Sequence, residues 1–391
     1  MLNDTLHNPK TVTILGSTGS VGCNTLDLIG NNPEAYKVIA LTANRNVTKL
    51  AEQAIRFNAE WAVIADETCY GDLKAALSGK NIKVAAGQQA LDEAAQLPAE
   101  WVMASIVGAA GLRPTLSAIR RGGIVALANK ECLVCAGDLM MQEVLDHKAT
   151  LLPVDSEHNA IFQVFDFDKP DSVESITLTA SGGPFINSSL EEMKKATPQQ
   201  AVAHPNWDMG AKISVDSATM MNKGLEFIEA YHLFPVKQDQ IDIIIHPQSV
   251  IHSMVTYRDG SVLAQLGSPD MRIPISYSLG WPKRVETPAK KLDLTEFKRL
   301  DFMKPDMEKF PALRLAREAL HLGGTAPTIL NAANEVAVFA FLEGRIGFLD
   351  IVATVEETLT QIETSPLTCL RMVHAIDDEA RVVAQNVIDR F

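Results

Sequence analysis

The chain opens with apolar runs that alternate with amphipathic stretches. TVTIL is a short run rich in β-branched residues, GSTGSVG follows at once, and NTLDLIGNNP carries apolar residues at helical spacing with a proline beyond its end. YKVIALTA predicts a second strand, VTKLAEQAIRF an amphipathic helix and EWAVIAD a third strand. WVMASIV, a helix over LRPTLSAIRR and the strand GIVALA continue the rhythm as far as Asn129, Lys130 and Glu131. Apolar strands alternating with helices predict an α/β fold that begins as a Rossmann-like doubly wound parallel sheet.

Near Thr150 the rhythm changes. ESITLTA, QIDIIIH, SVIHSMVTY and SVLAQLG read as strands, and RDG joins the last two as a hairpin turn. This predicts a central α+β domain with a partly antiparallel sheet. WPKRVETPAKKLDLTEFKRLDFMKPD reads as an irregular connection. PALRLAREALHLG, PTILNAANEVAVFAFLEG and FLDIVATVEETLTQI then predict a C-terminal helical bundle, with Gly323, Gly324 and Gly344 where helices should end. The domain limits expected are 1–150, 151–285, a connecting segment 286–309, and 310–391.

Composition narrows the function classes. A chain of 391 residues is too long for one ordinary core, and 47% hydrophobic content marks a globular protein. A net charge of −13 argues against a general nucleic-acid binder, although a local basic cluster can still hold a small anion. No apolar run is long enough to span a bilayer, and MLNDTLHNPK has neither a signal core nor a transit pattern, so a cytoplasmic protein is expected. Five cysteines do not make a disulfide framework. Cys132 and Cys135 form a CxxC with no second pair to complete a zinc site, and read as two small buried residues at helical spacing.

Gly16, Gly19 and Gly22 are spaced GxxGxxG between the first strand and the first helix. Glycine lets backbone approach a pyrophosphate, and a helix N-terminus supplies donors. The competing reading is a tight turn that needs only positive φ. The second strand ends in Ala43, Asn44, Arg45 and Asn46, with no acid to bind ribose hydroxyls. An arginine there suits a 2′-phosphate and favours NADPH over NADH; the alternative is an ordinary solvated arginine.

Asp155 and Glu157 stand two apart at the end of what reads as an extended segment, ATLLPVD, where alternate residues share a face. Like charges that close repel unless a cation is bound. With Glu226 as a third ligand, the donor set suits Mg²⁺ or Mn²⁺; DxE pairs also occur on solvated loops. His158 follows at an odd offset and is expected to point away.

HPNWDMGAKISVDSATMMNKGLEFIEA, His204 to Ala230, is dense in polar groups that would be costly to bury unpaired. Ser181, in the turn TASGGPF, can aim a hydroxyl and backbone donors at an anion. His204, Ser217, Asn222 and Lys223 would complete a phosphate pocket. Trp207 either packs or covers a substrate as a lid.

GSTGSVG, ALANKE, PVDSEHNAIFQ, SGGPF, the His204–Ala230 stretch, HPQSVIHSMV, LGSPDMRIPI and LNAANEVAV together resemble the 1-deoxy-D-xylulose 5-phosphate reductoisomerase family over nearly the whole chain. Val21 departs from the isoleucine common there. The resemblance implies rearrangement and reduction of 1-deoxy-D-xylulose 5-phosphate to 2-C-methyl-D-erythritol 4-phosphate, for isoprenoid precursors, with NADPH and a divalent cation (Mg²⁺, Mn²⁺ or Co²⁺). It implies Gly16, Thr18, Gly19, Ser20 and Val21 at the pyrophosphate, Asn44, Arg45 and Asn46 at the ribose phosphate, and Asn129, Glu131 and Gly210 also at the cofactor. Asp155, Glu157 and Glu226 would hold the metal. Lys130, Ser156, Ser181, His204, Ser217, Asn222 and Lys223 would hold substrate, together with Glu157 and Glu226. Lys130, His204 and the three carboxylates would be catalytic. Trp207 and Met209 would lie on a flap, 204–210, and Met271 near the substrate. The resemblance also implies a homodimer and inhibition by the phosphonate hydroxamate fosmidomycin through the metal; the charge balance and the lack of a long apolar run lead us to expect no nucleic-acid or membrane partner.

Overall fold

The computed structural model describes residues 8–204, 207 and 209–391, which divide into two compact units. The first contains residues up to Cys132, Met140–Asp155 and Met271–Ala289. Its elements run β1 (Lys10–Leu15), α1 (Ser20–Asn31), β2 (Tyr36–Ala43), α2 (Val47–Arg56), β3 (Trp61–Ile64), α3 (Tyr70–Ala76), β4 (Lys83–Ala86), α4 (Gln88–Gln96), β5 (Trp101–Ala104), α5 (Leu112–Arg120), β6 (Gly123–Leu127), the two ends of α6 (Lys130–Asp146), whose middle, Leu133–Leu139, belongs to the second unit, and β7 (Ala149–Pro153). The strands form a seven-stranded parallel sheet in the order β4-β3-β2-β1-β5-β6-β7. Strand order reverses between β1 and β5, which opens a crevice at their carboxyl ends.

Two features of this sheet differ from the sequence reading. β4 was not expected, because KVAA is a short edge strand whose residues are partly exposed and carry little apolar signal. β7 pairs with β6 through Leu127 and Pro153, so the sheet runs past the limit expected at residue 150. The segment Met271–Ala289 also joins this unit through α12 (Arg272–Gly280). Ile275 and Leu279 enter its core, the fully buried Trp101 donates Nε1–H to Ser278 O at 3.0 Å, and Lys10 Nζ donates to Leu279 O at 2.7 Å.

The second unit comprises Leu133–Leu139, Ser156–Asp270 and Lys290–Phe391. Its elements are α7 (Ser156–Val164), β8 (Val173–Ala180), α8 (Leu190–Lys194), α9 (Pro198–Val202), α10 (Ala211–Ala218), α11 (Met221–Leu233), β9 (Ile241–Ile245), β10 (Ile251–Tyr257), β11 (Val262–Leu266), α13 (Ala312–Leu322), α14 (Ala326–Leu342), α15 (Phe348–Gln361) and α16 (Leu370–Ile388). The sheet order is β11-β10-β8-β9; β8 and β9 are parallel and the other pairs antiparallel. The expected RDG hairpin is present, with Gly260 at φ 87°. Gly323, Gly324 and Gly344 take positive φ just beyond helix ends, a backbone conformation that favours glycine.

Cys132 and Cys135 are buried and free of disulfides, as expected, within α6. The backbone at Ala136 leaves helical geometry, so α6 is two helical pieces joined at a kink. No helix among the described residues is long and apolar enough to cross a membrane.

Candidate active site

The glycine loop connects β1 to α1 at the crevice. Gly16 takes φ 86°, and a Cβ there would lie 2.8 Å from Ser105 O after β5. Only glycine lets the two strand ends approach this closely. Gly19 caps α1 without a side-chain hydrogen bond, and Gly19 and Ser20 are exposed. The first N–H groups of α1 are therefore presented for an anion. Thr18 and Val21 flank them, partly buried.

Asn44, Arg45 and Asn46 follow β2 and are exposed. Asn46 caps α2 by accepting from Lys49 N at 3.1 Å. Arg45 Nε donates to Asp66 Oδ2 at 2.6 Å, and Asp66 is also bonded by Thr68. The Thr68 hydrogen bonds first, and Arg45 after them, hold the Asp66 carboxyl below its ordinary pKa. The guanidinium is thus oriented while most of its surface stays open.

Asn129, Lys130 and Glu131 lie where β6 becomes α6. Asn129 Oδ1 caps that helix, accepting from Cys132 N at 3.0 Å, and Nδ2 donates to Gly108 O at 2.9 Å and to Ile106 O. Both ends of this amide are used to shape the loop after β5. Lys130 is buried, with Nζ 2.6 Å from Asp155 Oδ2. Met271 heads α12 and packs, partly buried, against the core of the first unit.

The second unit brings Ser156, Glu157, Asn222, Lys223 and Glu226 together. α7 supplies the first two and α11 the rest. SEHNAIFQV is therefore helix, not strand, and alternation along a strand is the wrong reason for grouping Asp155 with Glu157: β7 has ended at Pro153. Ser156 Oγ donates to Glu157 Oε2 at 2.7 Å. Lys223 Nζ stands 3.0 Å from Glu157 Oε1 and also binds Glu226 Oε2, while Asn222 Nδ2 donates to Glu226 Oε1. Burial works to lower the pKa of Lys223, but Glu157 and Glu226 outweigh it and hold the ammonium above its ordinary value. So Lys223 lies on the carboxylates, where the sequence reading had grouped it with phosphate.

Ser181 follows β8 in the Ser-Gly-Gly turn. Its Oγ is 2.8 Å from His204 Nε2 and accepts from Gly183 N at 3.2 Å. Trp207 N–H donates to His204 Nδ1 at 3.0 Å. A neutral imidazole that accepts at Nδ1 carries its proton on Nε2, so His204 donates to Ser181. Ser181 then has its own hydroxyl proton left to give an anion. Burial pushes the His204 pKa down, which favours this neutral form. Ser217 is close by, since a Cβ on Gly183 would lie 2.7 Å from Ser217 O. Met209 is partly buried, and Gly210 caps α10. The remaining positions of the expected flap, 205, 206 and 208, lie outside the described residues.

Two histidines escaped the sequence reading of the site. His158, set aside for its odd offset, is fully buried: Nε2 meets Glu226 O at 2.9 Å and Nδ1 meets Glu229 Oε2 at 3.2 Å. It pins α7 to α11 and so fixes Glu157 relative to Glu226. His252, on β10, is buried with its ring 6.2 Å from that of Trp207. Burial pushes its pKa down, with Glu157 opposing. A histidine at an inward position of a strand was the available signal.

The models of known families and proteins agree on what this chain is similar to. The model for 1-deoxy-D-xylulose 5-phosphate reductoisomerase matches residues 12–137, and models of two C-terminal domains of the same enzyme match 151–234 and 266–383. The reductoisomerase of Rhodospirillum centenum is 63% identical over 97% of this chain and 94% of its own length.

This chain belongs to the 1-deoxy-D-xylulose 5-phosphate reductoisomerase family.

The reductoisomerase of Zymomonas mobilis is 59% identical over 98% of this chain and 99% of its own. A solved reductoisomerase from Zymomonas mobilis in complex with NADPH superposes with TM-score 0.92 at 57% identity, covering 97% of this chain and 99% of that one. A second solved reductoisomerase, in complex with NADPH, fosmidomycin and magnesium, superposes with TM-score 0.92 at 42% identity, covering 97% and 98%. The expected fold class holds throughout: parallel Rossmann-like sheet, mixed central sheet and C-terminal helices. As a reductoisomerase, the chain is an enzyme.

Proposed function

We propose that this chain converts 1-deoxy-D-xylulose 5-phosphate to 2-C-methyl-D-erythritol 4-phosphate with NADPH and a divalent cation, a step toward isoprenoid precursors. One observation carries the reading: the buried carboxylate of Glu226 and that of Glu157 are closed around one ammonium. Two carboxylates share a single ammonium, so one negative charge is left for a bound cation to offset.

The donor chemistry fits a hard divalent ion. Asp155, Glu157 and Glu226 supply the oxygen ligands that Mg²⁺, Mn²⁺ or Co²⁺ would take. When bound, the cation supplies Lewis-acid polarisation of the ketose carbonyl and stabilisation of alkoxide charge. The glycine loop likewise fits a dinucleotide, because side chains at Gly16 would close it. NADPH supplies the hydride that reduces the rearranged aldehyde.

The chain's own residues position and shield. Thr18, Gly19, Ser20 and Val21 receive the pyrophosphate, and Arg45 reads the 2′-phosphate between Asn44 and Asn46. Asn129 acts through the loop it shapes, with Glu131 and Gly210 also on the cofactor. Lys130 orients a substrate hydroxyl and offsets oxyanion charge. Ser181 donates to the substrate phosphate in an orientation set by His204, with Ser217 beside it; Ser156, Asn222 and Lys223 hold the reacting end against the carboxylates. Trp207 and Met209, with Met271, exclude water from a reactive intermediate.

We infer a homodimer as well. Val262 and Leu263 on the edge strand β11 are 53% and 48% exposed, an apolar edge that invites a second copy. Fosmidomycin, held in a related complex, would place its phosphonate at the Ser181 turn and its hydroxamate on the metal. We infer a cytoplasmic setting, where both charged substrates are retained.

NADPH absorbance followed with 1-deoxy-D-xylulose 5-phosphate, with Mg²⁺ and then with excess chelator, tests the proposal. Oxidation that stops with the chelator is expected; oxidation indifferent to it would leave the carboxylates without a role.

A further inference from the structure

LNAANEVAV, on α14, takes no part in the chemistry described above, yet it buries amides in the second unit. Asn331 and Asn334 are fully buried. Asn334 Nδ2 donates to Asp216 Oδ1 at 2.8 Å, and Lys212 Nζ meets Asp216 Oδ2 at 2.9 Å. Lys212 and Asp216 are one turn apart on α10, and Asp216 is 1% exposed. A buried ionic cluster seldom outperforms well-packed apolar residues in stability, so its value lies elsewhere. Hydrogen bonds are directional, and a satisfied polar network selects one arrangement where apolar packing tolerates several.

The helix so fixed is the one that matters to the phosphate. α10 is capped at its start by Gly210, just after Trp207 and Met209, with Ser214 N bonded to Gly210 O at 3.1 Å. Ser217 is the residue after Asp216. The carbonyl of Ser217 abuts the Ser-Gly-Gly turn so closely that Gly183 admits no Cβ. α10 is thus held through Asp216 from α14 and lies against the turn that carries Ser181.

We propose that Asn334 is a positioning residue for the phosphate end of the substrate: through Asp216 it sets the rotation and height of α10, and with them the placement of Ser217 and the root of the Trp207 loop. This rests on the assignment of Ser181 and Ser217 to the phosphate.

Steady-state kinetics of Asn334→Leu, Ser217→Ala and the reciprocal double variant N334D/D216N test it. Asn334→Leu is expected to raise KM for 1-deoxy-D-xylulose 5-phosphate about tenfold, with KM for NADPH unchanged and kcat reduced far less. The reciprocal exchange, which restores an amide–carboxylate bond between the two positions, should recover most of that loss. A folded Asn334→Leu enzyme with unchanged substrate KM, or with both KM values raised alike, overturns the inference. Should Asn334→Leu fail to fold, Asn334→Ser, which shortens the donor's reach without apolar bulk, carries the same expectation. An unchanged substrate KM in Ser217→Ala removes the phosphate assignment itself; a raised one beside an unaffected Asn334 variant overturns only the role of Asn334.

Discussion

The ammonium of Lys223 lies 3.0 Å from Oε1 of Glu157. Glu226, three residues along α11, shares the same ammonium, so the cluster holds a positive charge of its own before any metal binds. Glu226→Gln keeps the shape and removes the charge. It should lower turnover by about 10²–10³-fold or more, while NADPH titrated by fluorescence binds with unchanged affinity. Loss of NADPH affinity, or activity within a few-fold of the parent, would contradict the ligand assignment.

Arg45 is oriented by Asp66 yet exposed over most of its side chain. An ion pair this exposed adds little to stability, so Arg45→Ala should leave Tm in place. KM for NADPH should rise about tenfold with KM for NADH unchanged. An unaltered cofactor ratio would assign the 2′-phosphate to another residue.

Burial lowers the pKa of His204, whose Nδ1 accepts from Trp207 N–H. The folded protein therefore binds this proton less readily than the unfolded chain. The stability His204 contributes is present above about pH 6.5 and is lost as pH falls through its lower folded value. Protonation also removes the acceptor for Trp207. An NMR titration of the free enzyme should give His204 a midpoint below about 6.5; a midpoint above it would refute the neutral, donating imidazole.

The parallel sheet was legible because TVTIL, YKVIALTA and GIVALA are buried strands that announce themselves as apolar runs. KVAA did not, because an edge strand needs no such run. The glycine loop and the Asn44–Asn46 triplet were readable as local chemistry at strand ends. The strand alternation expected to relate Asp155 to Glu157 does not hold: Pro153 stops β7, and Ser156 starts a helix whose register no strand pattern could supply. His158 and His252 were missed since their significance comes from partners 68 residues away in one case and from packing under Trp207 in the other. The pairing of Asn334 with Asp216, 118 residues apart, is likewise a tertiary fact.

The edge strand β11 exposes Val262 and Leu263. If the proposed dimer forms through this edge, Val262→Lys combined with Leu263→Lys should give a monomer in light scattering, because charged edge residues oppose strand-to-strand pairing. A dimer that survives both substitutions would place the contact elsewhere.

In the proposed reaction one enzyme both rearranges and reduces its substrate. Its most direct test is the product formed from carbon-13-labelled 1-deoxy-D-xylulose 5-phosphate with NADPH and Mg²⁺, identified by NMR. The branched 2-C-methyl-D-erythritol 4-phosphate is expected, formed one for one with NADPH oxidised. A straight-chain reduced sugar phosphate at the same stoichiometry would contradict it, leaving hydride transfer without rearrangement.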